Sequence, residues 1–159
     1  MSFAHVTPID APAEAVWSVL ADLPGWGSWN PVYPRASGRL APGEALSLTI
    51  ALPGAKPQRM RARVLAAEPP RRLVFTGGML GGALKATRSF ELTALTPEAC
   101  SLKGDEVFAG PLAPLMVPLV GGKVKDAVRL VNEALRTTVE SRQSDAAGAT
   151  RTSSVADRV

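Results

Sequence analysis

Arg88 and Glu106 are the residues of this sequence whose types and spacing best admit chemistry beyond packing. Each lies in a run that alternates in polarity: Arg88 shares a face with Phe90 and Leu92, and Glu106 shares one with Leu102, Gly104 and Phe108. Side chains two apart on a strand point the same way, so faces this apolar are directed inward and carry Arg88 and Glu106 with them. An ionisable group inside a protein is costly unless paired, so the two are expected to pair with each other or to hold a ligand's polar end. A carboxyl raised toward neutral pH by burial can also act as a general base, with an arginine beside it to stabilise a developing enolate. Arg88 and Glu106 are therefore the catalytic candidates, while Asp105 falls on the opposite face and is expected in solvent.

Other reactive types are scarce. His5 alternates with Phe3, Thr7 and Ile9 and is expected to line the same interior or its rim. With one histidine and one cysteine, the sequence offers no zinc ligand set and no internal disulfide. Cys100 is expected to pack as a small hydrophobe. A Ser–His–Asp arrangement and a glycine-rich nucleotide loop are also missing, so neither metal nor cofactor is expected. Trp26, Trp29, Tyr33 and the Met79-Leu80 pair could form an apolar mouth to the interior, or the tryptophans could simply anchor a segment rich in helix breakers.

These side chains need elements to hold them. Residues 114–142 carry the longest helical pattern, with Val124, Ala127, Val128, Val131, Ala134, Leu135 and Val139 forming one stripe. Lys123, Lys125, Asp126, Arg129, Asn132, Glu133, Arg136 and Glu140 fall outside the stripe and are expected in water. Pro118 and Gly121-Gly122 predict a kink or a break near its start. Strands are predicted at 3–9, 46–52, 59–66, 71–76, 85–95 and 99–109, with Met60, Ala62, Val64 and Ala66 on one face and Arg59, Arg61 and Arg63 on the other. Pro12 and Glu14 open a short helix that ends near Asp22, and 23–31 predicts a second short helix or turn. Residues 77–82 hold four glycines and are expected to be a mobile apolar loop. An amphipathic helix of this kind is stable only when its stripe is covered, and an antiparallel sheet with one apolar face is the available partner.

The 159 residues suit one domain, expected at 1–142, followed by a disordered tail at 143–159. No apolar run is long enough to span a bilayer and the N-terminus shows no basic-then-apolar leader, so a cytoplasmic protein with no integral membrane association is expected. The net charge of +4 raises the question of nucleic acid. The basic residues are scattered, however, and no aromatics are interleaved to stack bases, so no nucleic-acid partner is expected. A monomer or homodimer is expected.

Four stretches, taken in order, carry a resemblance: Ala11-Pro12-Ala13-Glu14-Ala15-Val16-Trp17-Ser18-Val19-Leu20-Ala21-Asp22; Trp29-Asn30-Pro31; Gly38-Arg39-Leu40-Ala41-Pro42-Gly43; and Glu106-Val107-Phe108-Ala109-Gly110-Pro111-Leu112. From about residue 3 to residue 142 the chain resembles the SRPBCC superfamily, which includes START domains, bacterial polyketide cyclase/dehydrase-like proteins and the birch-pollen-allergen type. The resemblance implies an α+β helix-grip fold. In that fold a seven-stranded antiparallel sheet wraps around a long C-terminal helix, two short helices follow strand 1, and an apolar cavity lies between. It also implies a hydrophobic small molecule as partner: a lipid, a polyketide or an aromatic compound. On that footing Trp29, Met60, Phe75, Arg88, Phe90, Leu92, Glu106, Phe108, Val128 and Leu135 are the expected ligand-binding residues. A cyclase or dehydratase using Glu106 and Arg88 is the first alternative, and a chaperone-activator-like protein-interaction module the second.

Overall fold

The computed structural model describes residues 1–156, with side chains described as far as residue 148. The chain runs β1 (Ser2–Ile9), α1 (Ala13–Ala21), a 3₁₀ turn (Leu23–Ser28), β2 (Arg35–Gly38), β3 (Ala45–Ile50), β4 (Gln58–Glu68) and β5 (Arg72–Met79). A one-turn 3₁₀ segment (Leu80–Gly82), β6 (Leu84–Thr96), β7 (Ala99–Ala109) and α2 (Ala113–Ala156) complete it. Among the described residues the strands form one seven-stranded sheet in the order β1-β7-β6-β5-β4-β3-β2, with all neighbours antiparallel. This is the α+β helix-grip fold, with the sheet wrapped around a long C-terminal helix.

Pairing of the first strand with the last puts β1 and β2 at opposite edges, and α1 with its 3₁₀ turn carries the chain between them. Proline at the N-cap of α1 and Glu14 in its first turn match the expected start. Val16, Val19 and Leu20 bury that helix's apolar side. The breaker-rich 23–31 stretch becomes the 3₁₀ turn, and its Trp26 is wholly buried.

Several local expectations are corrected. Arg35–Gly38, which is not among the predicted strands, is an edge strand that pairs with β3. Gly77, Gly78 and Met79 are not loop but the end of β5, paired with Ala86, Lys85 and Leu84. Gly77 is useful there because a Cβ would meet the sulfur of Met60 at 2.7 Å. A register shift between Val64 and Ala66 leaves Leu65 half exposed and turns Ala67, not Ala66, toward the core opposite Leu73. Up to that bulge Arg61 and Arg63 alternate outward as expected, while Arg59, exposed at the start of β4, also borders the space beneath the sheet.

The long helix is not interrupted. It passes through Pro118, whose missing N–H frees the carbonyl of Pro114, and both residues are exposed so that water can satisfy that oxygen. Gly121 faces inward and lets the ring of Phe3 lie against the helix. The helix does not stop at Arg142 either. The tail expected to be unstructured is helical to Ala156, exposed from Ser141 through Gly148, and 157–159 lie outside the described residues. This stretch contains several good helix formers and no proline, so nothing in it forces a stop. Asn132, assigned to water by the stripe, is fully buried. Its Nδ2 donates to the carbonyl of His5 at 2.9 Å and to Oγ1 of Thr7 at 3.3 Å, tying α2 to β1. The strand beside it accommodates the amide through Gly104, where any Cβ would overlap Oδ1 of Asn132.

Candidate functional site

Two apolar clusters fill the space between sheet and helix. The larger joins α1, the 3₁₀ turn and the C-terminal half of the stripe, Ala127, Val131, Leu135 and Val139, to strands from β1 to β7. The smaller joins Leu84, Ala86 and Phe108 to Ala113, Val117, Val124 and Val128 at the start of α2. Between them lies a cavity of about 300 Å³, whose wall takes residues from both clusters and from the β3–β4 connection.

Arg88 and Glu106 stand on this wall. They are directly opposite each other on β6 and β7, so the register itself brings them together, with Nη1 of Arg88 3.7 Å from Oε2 of Glu106. Only 3% of the Arg88 side chain and 12% of that of Glu106 remain exposed. The guanidinium carbon lies 4.8 Å from the centre of the Phe90 ring, an additional favourable contact for a buried cation. Nη1 faces Glu106, but Nε and Nη2 of Arg88 are shut off from solvent and have no hydrogen-bond partner. Burial holds the Glu106 carboxyl above the usual carboxylate range; Arg88 opposes that shift and Asp105 adds to it. Burial likewise pushes the Tyr33 phenol up, with Glu106 adding to the effect and Arg88 opposing it, so Tyr33 remains a neutral O–H on the same wall.

The expected ligand-binding residues separate into two sets. Met60, Arg88, Glu106, Phe108 and Val128 line the cavity. Phe75, Phe90, Leu92 and Leu135 do not: they lie in the larger cluster, with Trp29 packed against it. For the two phenylalanines the cause is Trp26, which enters from the 3₁₀ turn and packs its ring 6.4 Å from Phe75 and 6.3 Å from Phe90, and 5.6 Å from Tyr33, centre to centre. That aromatic block fills the half of the interior nearer α1. Trp26 and Trp29 are thus anchors rather than a mouth, whereas Met79 does line the cavity and Leu80 projects outward, 62% exposed.

Other wall residues lie outside the expected ligand-binding set, although Tyr33 is offered by the sequence as part of an apolar mouth and Val124 as part of the helical stripe. Tyr33, Ile50, Leu52, Met116, Val120 and Val124 complete the apolar lining, and Lys56 and Arg59 add positive charge beside the β3–β4 connection. Met116, Val120 and Val124 continue the helical stripe at four-residue spacing, a signal obscured by Pro118 and the glycine pair. His5 is not on the cavity wall. Its Nε2 lies 3.9 Å from Oε1 of Glu133 on α2, with both side chains about one-third exposed. Cys100 is fully buried in the larger cluster, and its thiol is pushed up by that burial and by Glu14. Among the described residues no helix is long and apolar enough to cross a membrane.

Residues 1–140 match the sequence profile of the family described as polyketide cyclase/dehydrase and lipid transport. No curated protein matches the chain in sequence. Among solved structures it is similar to a hypothetical protein of Helicobacter pylori, with TM-score 0.73, 12% identity and coverage of 87% of this chain and 88% of that one. It is similar to the Zhui aromatase/cyclase of a Streptomyces species, with TM-score 0.71, 18% identity and coverage of 89% and 94%. A START superfamily protein of Mycobacterium smegmatis aligns with TM-score 0.68, 18% identity and coverage of 88% and 97%. At these identities the likeness shows the fold alone.

Proposed function

Because the chain belongs to the polyketide cyclase/dehydrase and lipid-transport family, we propose that it binds a hydrophobic small molecule in the cavity between the sheet and α2. The observation that carries this reading is the cavity itself. About 300 Å³ is left unfilled between two otherwise packed clusters, with a largely apolar wall and one buried ion pair. Protein interiors are normally close-packed, and a hollow of this size beside a few convergent polar groups is the usual form of a small-molecule site. The apolar wall takes the body of the ligand; Arg88, Glu106 and Tyr33 orient its polar end. Lipids, polyketides and aromatic compounds are the classes to screen by calorimetry and native mass spectrometry. Failure of every class to bind a folded protein would reject the reading.

A second reading is favoured by one specific feature, the raised Glu106 carboxyl beside a buried arginine. In an enzyme of the cyclase or dehydratase kind, Glu106 removes a proton next to a carbonyl and Arg88 holds the oxygen on which charge develops. The readings separate on Glu106→Gln. An enzyme loses turnover by about 10²-fold or more while binding persists. A pure carrier shows no turnover to lose.

A further inference from the structure

The guanidinium of Arg88 is only half answered. Glu106 approaches at Nη1, while Nε and Nη2 are buried with no partner. These are not two arbitrary donors. In a planar guanidinium the Nε–H and one N–H of Nη2 lie side by side and point the same way, at the spacing of the two oxygens of a carboxylate. Charge around the cavity agrees with an acidic guest: Lys56, Arg59 and Arg88 contribute to the wall against the single carboxyl of Glu106.

We propose that the cavity's ligand is a monocarboxylic acid whose carboxylate sits side-on against Nε and Nη2 of Arg88 and whose apolar body fills the hollow. The inference rests on the small-molecule reading above and deepens it. At about 30 Å³ per atom at liquid density, 300 Å³ accommodates about ten non-hydrogen atoms, the size of a medium-chain or single-ring aromatic acid. The two N–H groups are covered from water, so the ligand must part side chains to reach them. Met60, Met79 and Met116 in the wall are unbranched and able to re-pack. Lys56 and Arg59 favour the approach of an anion.

The test uses a set of equal length: octanoate, octanol and octylamine, titrated calorimetrically into the whole chain, with butyl to dodecyl homologues of each. Octanoate is expected to bind about 30-fold more tightly than octanol, with octylamine weakest. In Arg88→Lys, which keeps the charge but loses the fork, octanoate is expected to weaken about tenfold while octanol changes less than about twofold. Thermal melts and circular dichroism establish that the variant is folded, and the wild-type series decides the matter even where it is not. Octanol binding as tightly as octanoate overturns the carboxylate assignment and leaves the small-molecule reading standing. If no chain length of any headgroup binds, the carboxylate assignment is overturned, and the small-molecule reading falls with it only when polyketides and aromatic compounds also fail to bind.

Discussion

Glu106 is held between opposing influences: burial favours its neutral form and Arg88 favours its charged form, with burial the larger. Its folded-state pKa therefore lies above the ordinary value near 4.5, and the sign of the consequence is fixed. The folded protein binds this proton more tightly than the unfolded chain does. The stability Glu106 contributes is complete below its ordinary pKa and is lost as pH rises through the raised one. In urea melts from about pH 4 to about pH 8, the difference in unfolding free energy between wild type and Glu106→Gln should move in favour of the glutamine variant as pH increases. A difference that stays flat would mean that the carboxyl is not held up by burial. A second residue-scale prediction concerns Gly104. Because any Cβ there overlaps the buried Asn132 amide, Gly104→Ala should cost about 1–3 kcal/mol by chemical denaturation. With Asn132 already replaced by alanine the same change should cost markedly less, since residues in contact are not additive. Equal costs in both backgrounds would show that the two do not press on one another.

At the scale of elements, the 3₁₀ turn decides which part of the interior is solid. Trp26 donates its indole N–H to the carbonyl of Leu20 at 2.9 Å and packs among Trp29, Tyr33, Phe75 and Phe90. Trp26→Ala should therefore destabilise by about 3–5 kcal/mol in urea unfolding, a large-to-small loss in a full core. A loss below about 1 kcal/mol would mean that the segment can close over the gap. The same turn marks the limit of what could be read from the chain. Strand alternation states on which side of the sheet a residue lies, and on that basis Arg88 and Glu106 were correctly turned inward, as were Phe90, Leu92, Leu102 and Phe108. Alternation carries no information about depth along the strand, so Phe75, Phe90 and Leu92 were grouped with Met60 and Phe108 although they belong to the packed larger cluster, where the Trp26 ring lies against Phe75 and Phe90. Tyr33 was legible as an aromatic but not as a neighbour of Glu106, because that contact joins strands and a connecting loop far apart in sequence. Local signals failed in a different way. Four glycines in six residues suggested a loop at 77–82, yet inter-strand pairing extends β5 through Met79 and overrides glycine's poor strand preference. Pro118 suggested a break, yet the helix continues through it, with Val117 and Val124 on either side packed against Leu84, Ala86 and Phe108.

For the molecule as a whole, the decisive quantity is the volume left between two clusters that do not merge. Ala86 faces that volume from β6. Ala86→Leu should reduce ligand binding by at least about tenfold while changing stability by less than about 1.5 kcal/mol in either direction, because the added atoms enter space that is already vacant. A large destabilisation would show that the wall there has no room to give. The order of the sheet has a further consequence. β1 lies between solvent and β7, and Ser2 reaches Asp105 across 103 residues of chain. During synthesis β1 therefore leaves the ribosome with its partner still unmade, and it must wait, unpaired, until the six other strands have been translated. Its alternating character, with Val6 the one large apolar side chain left outward in the middle of the strand, limits how readily that waiting edge can join a neighbouring nascent chain.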